Sequence, residues 1–191
     1  MLATEKGRLT LEESANILRS GGVIIFPTDT VYGVGCRFDD EEATKRIYKI
    51  KKKPKDERLP ILVAEKYELT NLGCHVSDDT KSLINKYWPG GLTIIMKCNA
   101  KKIGLRMPNH PLARSLIKKT GVPLVGTSAN FHEESSPGTF EEIDPDFLEL
   151  VDGFLEGECL LKKESTVIDA TISPPKILRQ GAVKLDLSLR A

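Results

Sequence analysis

The chain has 191 residues, 40% of them hydrophobic and 29% charged, which is typical of a water-soluble globular protein. Its 28 basic and 27 acidic residues give a formal net charge of +1, so overall charge offers no support for a polyanionic partner. No apolar run approaches the roughly 20 residues that span a bilayer, and the first residues lack the apolar core of a secretory signal. We therefore expect no membrane contact.

Capping and stop signals predict the first elements of the chain. A capping box at Thr10 begins a helix that Gly21-Gly22 ends. The apolar run 23–26 predicts a buried strand, which leads into the loop 27–35. Further helices are predicted from Asp39 or Asp40 to about Lys51, over 77–87 and over 110–119. Further strands are predicted over 61–63, 92–96, 103–106, 123–127, 151–155, 166–170 and 176–179.

Helices and strands are mixed along the chain, but without the regular βαβ alternation of a doubly wound fold. Consecutive strands near the C-terminus favour antiparallel pairing. We therefore predict an α/β fold of α+β-like character, a twisted mixed parallel and antiparallel sheet flanked by helices, in a single domain over 1–191.

The cysteines and histidines are scattered and show no metal-ligand spacing. The cysteines predict a reduced cytosolic protein without a disulfide, and the histidines are expected at the surface. These residues are Cys36, Cys74, Cys98 and Cys159, and His75, His110 and His132. We therefore predict no resident metal and a cytoplasmic location.

The loop 27–35 contains two threonine hydroxyls, a tyrosine and two glycines. Glycines permit close backbone approach, so the loop can hold a small polar ligand, although a tight surface turn would have the same composition. It lacks the Gly-Lys-Ser/Thr ending of a Walker phosphate loop. The motif from Trp88 to Thr93 is expected to be mainly structural.

Basic residues follow the second helix from Lys51 to Lys55. Cations at a helix C-terminus often do no more than complement its dipole. Alternatively, Lys51 and Lys53 alternate along a chain that Pro54 keeps extended, so their two ammonium groups could hold a polyphosphate.

Small polar donors follow the predicted strand 123–127. Ser128 and Asn130 alternate and could face one anion or ribose, although a capped strand end would use the same residues. The polar stretch 131–139, which contains Ser136, predicts a mobile loop that could close over a ligand.

Other hydroxyls and cations also lie at strand ends. Arg106 is either a surface ion-pair partner or a fork for a carboxylate, and Ser165 and Arg179 flank the last strands. Such a set is typical of a site that positions anions, not of one that supplies a nucleophile.

Five motifs, in this order, resemble the YrdC/TsaC family of threonylcarbamoyl-AMP synthases, and the similarity extends from Gly22 to Gly181. The motifs are Pro27-Thr28-Asp29-Thr30-Val31-Tyr32-Gly33, Trp88-Pro89-Gly90-Gly91-Leu92-Thr93, Thr127-Ser128-Ala129-Asn130, Ser165-Thr166-Val167-Ile168-Asp169, and Ile177-Leu178-Arg179 with Gly181. The resemblance implies a YrdC-like fold and a nucleotidyltransferase that converts L-threonine, bicarbonate and ATP to threonylcarbamoyl-AMP and pyrophosphate. Its product would feed threonylcarbamoyladenosine modification of tRNA, through proteins that transfer the group.

The resemblance also implies roles for individual residues. Lys51 and Lys53 would be the catalytic cation pair on the triphosphate. The other nucleotide contacts would be Ser128, Asn130, Ser136 and Arg179. The threonine pocket would consist of Thr30, Arg106 and Ser165, with Arg106 on the amino-acid carboxylate. Mg²⁺ is expected to arrive with ATP, and no tightly bound cofactor is expected.

The sequence departs from the family pattern in two places. The family has Lys-x-Arg where this chain has Lys51-x-Lys53, and a lysine keeps the charge but loses the planar fork. After Asn130, the stretch 131–133 replaces the family's x-Ser-Gly. We expect the short form of the family, without its C-terminal domain.

Two other functions stay open at the level of sequence. The first is an RNA-binding or ribosome-assembly paralogue without synthase activity, in which Lys51–Lys55 and Lys101-Lys102 form a basic rim for tRNA or double-stranded RNA. The second is another reaction on the same scaffold, such as carbamoyl transfer or sugar-phosphate rearrangement.

Overall fold

A mixed sheet of eight strands organises the computed structural model, which describes residues 7–52 and 58–186. The strands are β1 (Ile24–Phe26), β2 (Gly33–Arg37), β3 (Ile61–Leu62), β4 (Leu92–Cys98), β5 (Lys101–Arg106), β6 (Leu124–Ser128), β7 (Thr166–Asp169) and β8 (Lys176–Arg179). The α-helices are α1 (Leu11–Arg19), α2 (Glu41–Lys51), α3 (Glu68–Asn71), α4 (Asp78–Tyr87), α5 (Pro111–Thr120) and α6 (Pro145–Leu148), and Phe140–Glu142 forms a 3₁₀ turn.

The strand order is β1-β2-β6-β3-β5-β4-β7-β8. The β3–β5 and β4–β7 pairs are parallel, and the other neighbours are antiparallel. The predicted mixed sheet with helices is therefore confirmed. The single-domain organisation over 1–191 stays a prediction.

Side-chain caps begin the four longest helices, as their sequences predict. Thr10 and Glu13 form the capping box of α1, and Asp40 accepts a hydrogen bond from the Ala43 amide at 2.9 Å at the start of α2. Ser77 caps α4 in the same way, and the His110 ring caps α5. These local contacts explain why the helix starts are correct to within two residues.

The strand β1 is buried on both faces and contributes to two cores. On β1, Ile24 and Phe26 pack in the cluster that contains Leu18 of α1 and Leu116 of α5, whereas Ile25 packs in the cluster that contains Ile47 of α2. This two-sided burial explains the continuous apolar sequence of β1.

The strand β2 was not predicted, because its glycine-rich sequence has little strand propensity of its own. It forms because β1 and β6 pair with it on both sides. A Cβ atom at Gly35 would lie 2.3 Å from the Val125 carbonyl oxygen, so only glycine fits there. The polar loop after β1 therefore ends at Tyr32, and its last glycines belong to the sheet.

The strand predicted over 151–155 is wrong. Phe154 makes only isolated bridges, to Arg8 and Ile25. The segment does lie along the edge of β1, since Ile25 donates to the Gly153 carbonyl at 3.0 Å, but Gly153 has a φ of 148° and interrupts the ladder. The apolar pattern correctly indicated that this segment is buried beside β1, but it did not indicate the secondary structure. The short helices α3 and α6 were not predicted either.

The expectation of four reduced cysteines is also wrong, because Cys74 and Cys98 form a disulfide, whereas Cys36 and Cys159 are free and buried. The backbone of Cys74 forms an antiparallel bridge to Cys98, at the end of β4, and this bridge places the two side chains next to each other. Their separation of 24 residues carries no motif that would reveal the pairing.

Candidate functional site

A cavity of about 500 Å³ lies over one face of the sheet. Lys102, Gly104 and Arg106 line it because alternate residues of β5 face the same side. Further lining residues from the strands are Gly33, Leu62, Thr93, Ile95, Gly126, Ser128, Val167, Asp169, Leu178 and Arg179. The loops add Thr28, Thr30, Val31, Tyr32, Arg58, Pro60, Glu164 and Ser165, and Thr127 of β6 completes the set.

Arg106 and Thr30 meet at one end of the cavity. The Arg106 guanidinium donates from Nη1 to the Thr30 hydroxyl at 2.7 Å, from Nε to the Gly90 carbonyl at 3.1 Å, and from Nη2 to Asp29. Burial lowers the pKa of Arg106, and the adjacent carboxylate of Asp29 opposes this effect. Arg106 therefore forms an ion pair that is buried, not at the surface, and its role as a fork for a ligand carboxylate stays a prediction.

Asp29 belongs to the first motif but had no predicted role. Its side chain is 4% exposed, and its Oδ2 atom has no hydrogen-bond partner within the described residues. A buried carboxylate with one unsatisfied oxygen is costly unless a cation is close to it. Asp29 therefore fixes the orientation of Arg106 and neutralises its charge.

A pair of hydroxyls lies beside this end of the cavity. The Ser165 and Thr93 hydroxyls are 2.8 Å apart, and both side chains line the cavity. The motif from Trp88 to Thr93 is structural at its start, where the Trp88 indole donates to the Leu92 carbonyl at 2.7 Å. Thr93, at the end of the motif, also lines the cavity, so the motif is mainly but not entirely structural.

Arg179 connects the hydroxyl pair to the loop 131–139. Its guanidinium donates to the Ser165 carbonyl at 3.0 Å and pairs with Glu164 at 2.6 Å. The other Glu164 oxygen accepts from the Ser136 hydroxyl at 2.6 Å. The backbone of the same loop also contacts the site, since the Tyr32 amide donates to the Pro137 carbonyl at 2.8 Å.

Lys51 and Asn130 lie beside Ser128, but their polar groups are already used. The Lys51 ammonium is buried and donates to the Ser128 and Asn130 carbonyls at 2.6 and 2.7 Å. The Asn130 amide nitrogen donates to the carbonyls of Phe131 and Glu134. The chain bends after β6, so Asn130 turns toward Lys51 and the loop, and only Ser128 lines the cavity.

The structure therefore assembles most of the predicted site residues. Thr30, Arg106, Ser128, Ser165 and Arg179 line one cavity. Ser136 lies behind Glu164, and Lys51 and Asn130 lie behind Ser128. Lys53 lies outside the described residues.

Several lining residues with charged or hydroxyl groups had no predicted role in the synthase site, among them Arg58, Thr93, Lys102 and Glu164. Thr93 ends one motif and Glu164 directly precedes another, so their positions in the sequence did carry a signal. Arg58 and Lys102 come from separate segments, and only the fold shows that they are neighbours, with Arg58 donating to the Lys102 carbonyl at 2.6 Å.

His110 is buried, contrary to the expectation of a surface histidine. It donates from Nε2 to the Glu158 carbonyl at 3.1 Å, while Nδ1 accepts from the Ala113 amide at 3.3 Å. Burial lowers the pKa of His110, and the hydrogen bond to Glu158 opposes this effect only in part.

This burial predicts a pH-dependent stability. The unfolded histidine takes up its proton near pH 6.5, and the folded one only at lower pH, so the free energy of unfolding should fall as pH drops below about 6.5. Denaturant titrations between about pH 5 and 7 should show a smaller loss for His110→Gln than for the wild type. His75→Gln, at an exposed position, should keep the wild-type slope, and an equal slope in His110→Gln would contradict the assignment.

Within residues 7–52 and 58–186, no group of three or more histidine, cysteine or acidic side chains has the arrangement of a metal site. In the same residues, no helix has the length and apolar content needed to cross a bilayer.

Comparisons with known proteins identify the family of this chain. The model of the Sua5, YciO and YrdC family, described as telomere recombination, matches residues 16–181. The Bacillus subtilis threonylcarbamoyl-AMP synthase is 32% identical over 91% of this chain and 54% of its own length. A putative threonylcarbamoyl-AMP synthase of Methanocaldococcus jannaschii is 34% identical over 96% of this chain and 91% of its own length.

The crystal structure of Pyrococcus abyssi Sua5 complexed with L-threonine superposes with a TM-score of 0.85 at 33% identity. The match covers 90% of this chain and 54% of that protein. The fold is therefore YrdC-like, as expected. This chain spans about half the length of several curated relatives that it matches.

Proposed function

Because this chain belongs to the Sua5/YciO/YrdC family, we propose that it is a threonylcarbamoyl-AMP synthase. It joins L-threonine and bicarbonate to the AMP portion of ATP and releases pyrophosphate. The observation that carries the proposal is the cavity, in which a guanidinium, a hydroxyl pair and further cations line one continuous surface. The threonine carboxylate, bicarbonate and the phosphates of ATP are all anionic, so a cavity lined by cations and hydroxyl donors suits the reaction.

The threonine lies at the Arg106 end in this proposal. A guanidinium has five N–H donors, and three of those of Arg106 are used, so hydrogens remain for the amino-acid carboxylate. Thr30 and the Ser165–Thr93 pair then contact the polar groups of threonine. The relative complexed with L-threonine supports this class of ligand.

The nucleotide lies along Ser128, Arg179 and the loop at Ser136. No hydrogen bond of the Ser128 hydroxyl is seen within the described part of the chain, so this group can donate to a ligand. Lys51 and Asn130 serve the nucleotide by holding the strand end beside it. Of the predicted catalytic pair, Lys53 would be the cation that contacts the triphosphate directly. Mg²⁺ enters as part of the MgATP substrate.

The chemistry is alignment and charge neutralisation. The threonine amine attacks carbon dioxide and loses a proton, or attacks bicarbonate with loss of water, and a carbamate forms. A carbamate oxygen then attacks the α-phosphorus of ATP, and pyrophosphate leaves with the electrons of the broken P–O bond. Arg106 fixes the threonine, whereas Arg179 and the other cations offset the charge on the phosphates. The product would pass to proteins that transfer the threonylcarbamoyl group to tRNA in the cytoplasm.

The experiment is pyrophosphate release from ATP, with threonine and bicarbonate omitted in turn. We expect release only when both are present. Ser128→Ala should lower the rate roughly 10- to 100-fold, because a hydrogen bond to a charged group contributes about 1.5–3 kcal/mol. Ser135→Ala, on the exposed part of the following loop, is the matched control and should act as wild type. Wild-type rates in Ser128→Ala would move the nucleotide elsewhere.

A further inference from the structure

The cations that line the cavity differ in how their charge is neutralised. They are Arg58, Lys102, Arg106 and Arg179. Three of them form ion pairs with carboxylates: Arg106 with Asp29, Arg179 with Glu164 at 2.6 Å, and Lys102 with Asp169 at 3.1 Å.

Arg58 is different. Its Nη1 donates to the Lys102 carbonyl at 2.6 Å, and no carboxylate pairs with it among residues 7–52 and 58–186. One backbone hydrogen bond orients the guanidinium but leaves most of its five N–H donors available. The residue is also exposed, so an anion that enters the cavity can reach it. Arg58 therefore offers this cavity an oriented positive charge.

We propose that Arg58 binds the terminal phosphates of ATP through a bidentate guanidinium contact. The proposal rests on the proposed function. A guanidinium can donate to two phosphate oxygens at once in a planar geometry that an ammonium lacks, so Arg58 can form a bidentate contact with a phosphate.

The position of Arg58 along the cavity fits this role. Lys102 and Arg106 face the cavity four residues apart on β5, which separates them by about 13 Å. Arg58 lies at the Lys102 end, because it is bonded to the Lys102 carbonyl. With threonine at Arg106, the α-phosphate must lie next to the carbamate, and the departing pyrophosphate points away from it. Gly104, between the two ends, has no side chain to obstruct that path.

The test compares the binding of ATP and AMP by calorimetry in the wild type and in Arg58→Ala, Arg58→Lys and Lys101→Ala. Arg58→Ala should weaken ATP binding about tenfold or more and change AMP binding less than twofold, because AMP lacks the terminal phosphates. Arg58→Lys should recover only a small part of the loss. Lys101→Ala is the control. It also removes one positive charge, but Lys101 precedes Lys102 on β5 and faces away from the cavity, so both affinities should stay unchanged.

The outcomes separate the proposal from its premise. If the wild type binds ATP and Arg58→Ala binds it equally well, the role of Arg58 is wrong and the proposed function stands. An equal loss for ATP and AMP would also overturn it, because Arg58 would then act on the α-phosphate or on the fold. Full recovery in Arg58→Lys would overturn the bidentate contact. A wild type that binds neither nucleotide would overturn the proposed function together with the proposal.

Discussion

Arg106→Met is expected to lower the free energy of unfolding by about 3–5 kcal/mol and to abolish threonine-dependent pyrophosphate release. The reason is the buried pair with Asp29, whose side chain is 4% exposed. Without the guanidinium, the carboxylate stays in a site where water cannot compensate its charge. The same substitution removes the group that would hold the threonine carboxylate. Denaturant unfolding measures the first effect, and the threonine dependence of turnover measures the second.

A second variant separates stability from function. Asp29→Asn combined with Arg106→Met removes both charges, so most of the lost stability should return. Activity should not return, because the carboxylate ligand has no partner in the double variant. Arg8→Met is the control for loss of an exposed ion pair: the Arg8 side chain is 65% exposed, and we expect less than about 1 kcal/mol. A small effect of Arg106→Met alone would show that the buried pair does not have the expected role.

Lys51→Met is expected to lower the free energy of unfolding by about 3 kcal/mol and to weaken ATP binding at least tenfold. The Lys51 ammonium donates to the Ser128 and Asn130 carbonyls and, at 3.3 Å, to the Asn130 side chain. A methionine fills a similar volume but leaves these buried acceptors unsatisfied, and each costs about 1–3 kcal/mol. The strand end that carries Ser128 should then lose its fixed position.

The matched control is Lys49→Met, which removes the same charge from an exposed position on the same helix. It should change stability by no more than about 0.5 kcal/mol and leave ATP binding at the wild-type level. If Lys51→Met keeps wild-type stability but loses ATP binding, the ammonium contacts the nucleotide directly, as the family resemblance implies. Wild-type values of both quantities would contradict any role at the site.

The four longest helices were predictable because their signals are local. Thr10, Asp40 and Ser77 each cap a helix through a contact within three residues of the chain. The strand β2 was not, since its glycines carry no strand signal and its pairing with β6 joins residues that lie about ninety positions apart. The disulfide between Cys74 and Cys98 was missed for the same reason, because only the pairing of their backbones brings the two residues together.

The candidate site shows the same division. The sequence analysis grouped Thr30, Arg106 and Ser165 in one pocket, and all three line the cavity. The sequence did not show that Asp29 pairs with Arg106 or that Glu164 contacts both Ser136 and Arg179. It also did not show that the Lys51 ammonium donates to backbone carbonyls. The number of donors and acceptors that are already hydrogen-bonded depends on where each side chain points in the folded protein. The spacing of residues in the sequence does not determine that direction.

The proposed synthase activity is tested most directly by detection of its product. The protein is incubated with ATP, threonine and carbon-13-labelled bicarbonate, and the nucleotides are analysed by mass spectrometry. We expect a threonylcarbamoyl adenylate that carries the labelled carbon and forms with equimolar pyrophosphate. ATP consumption without a labelled adenylate, or an adenylate that forms equally well without bicarbonate, would contradict it.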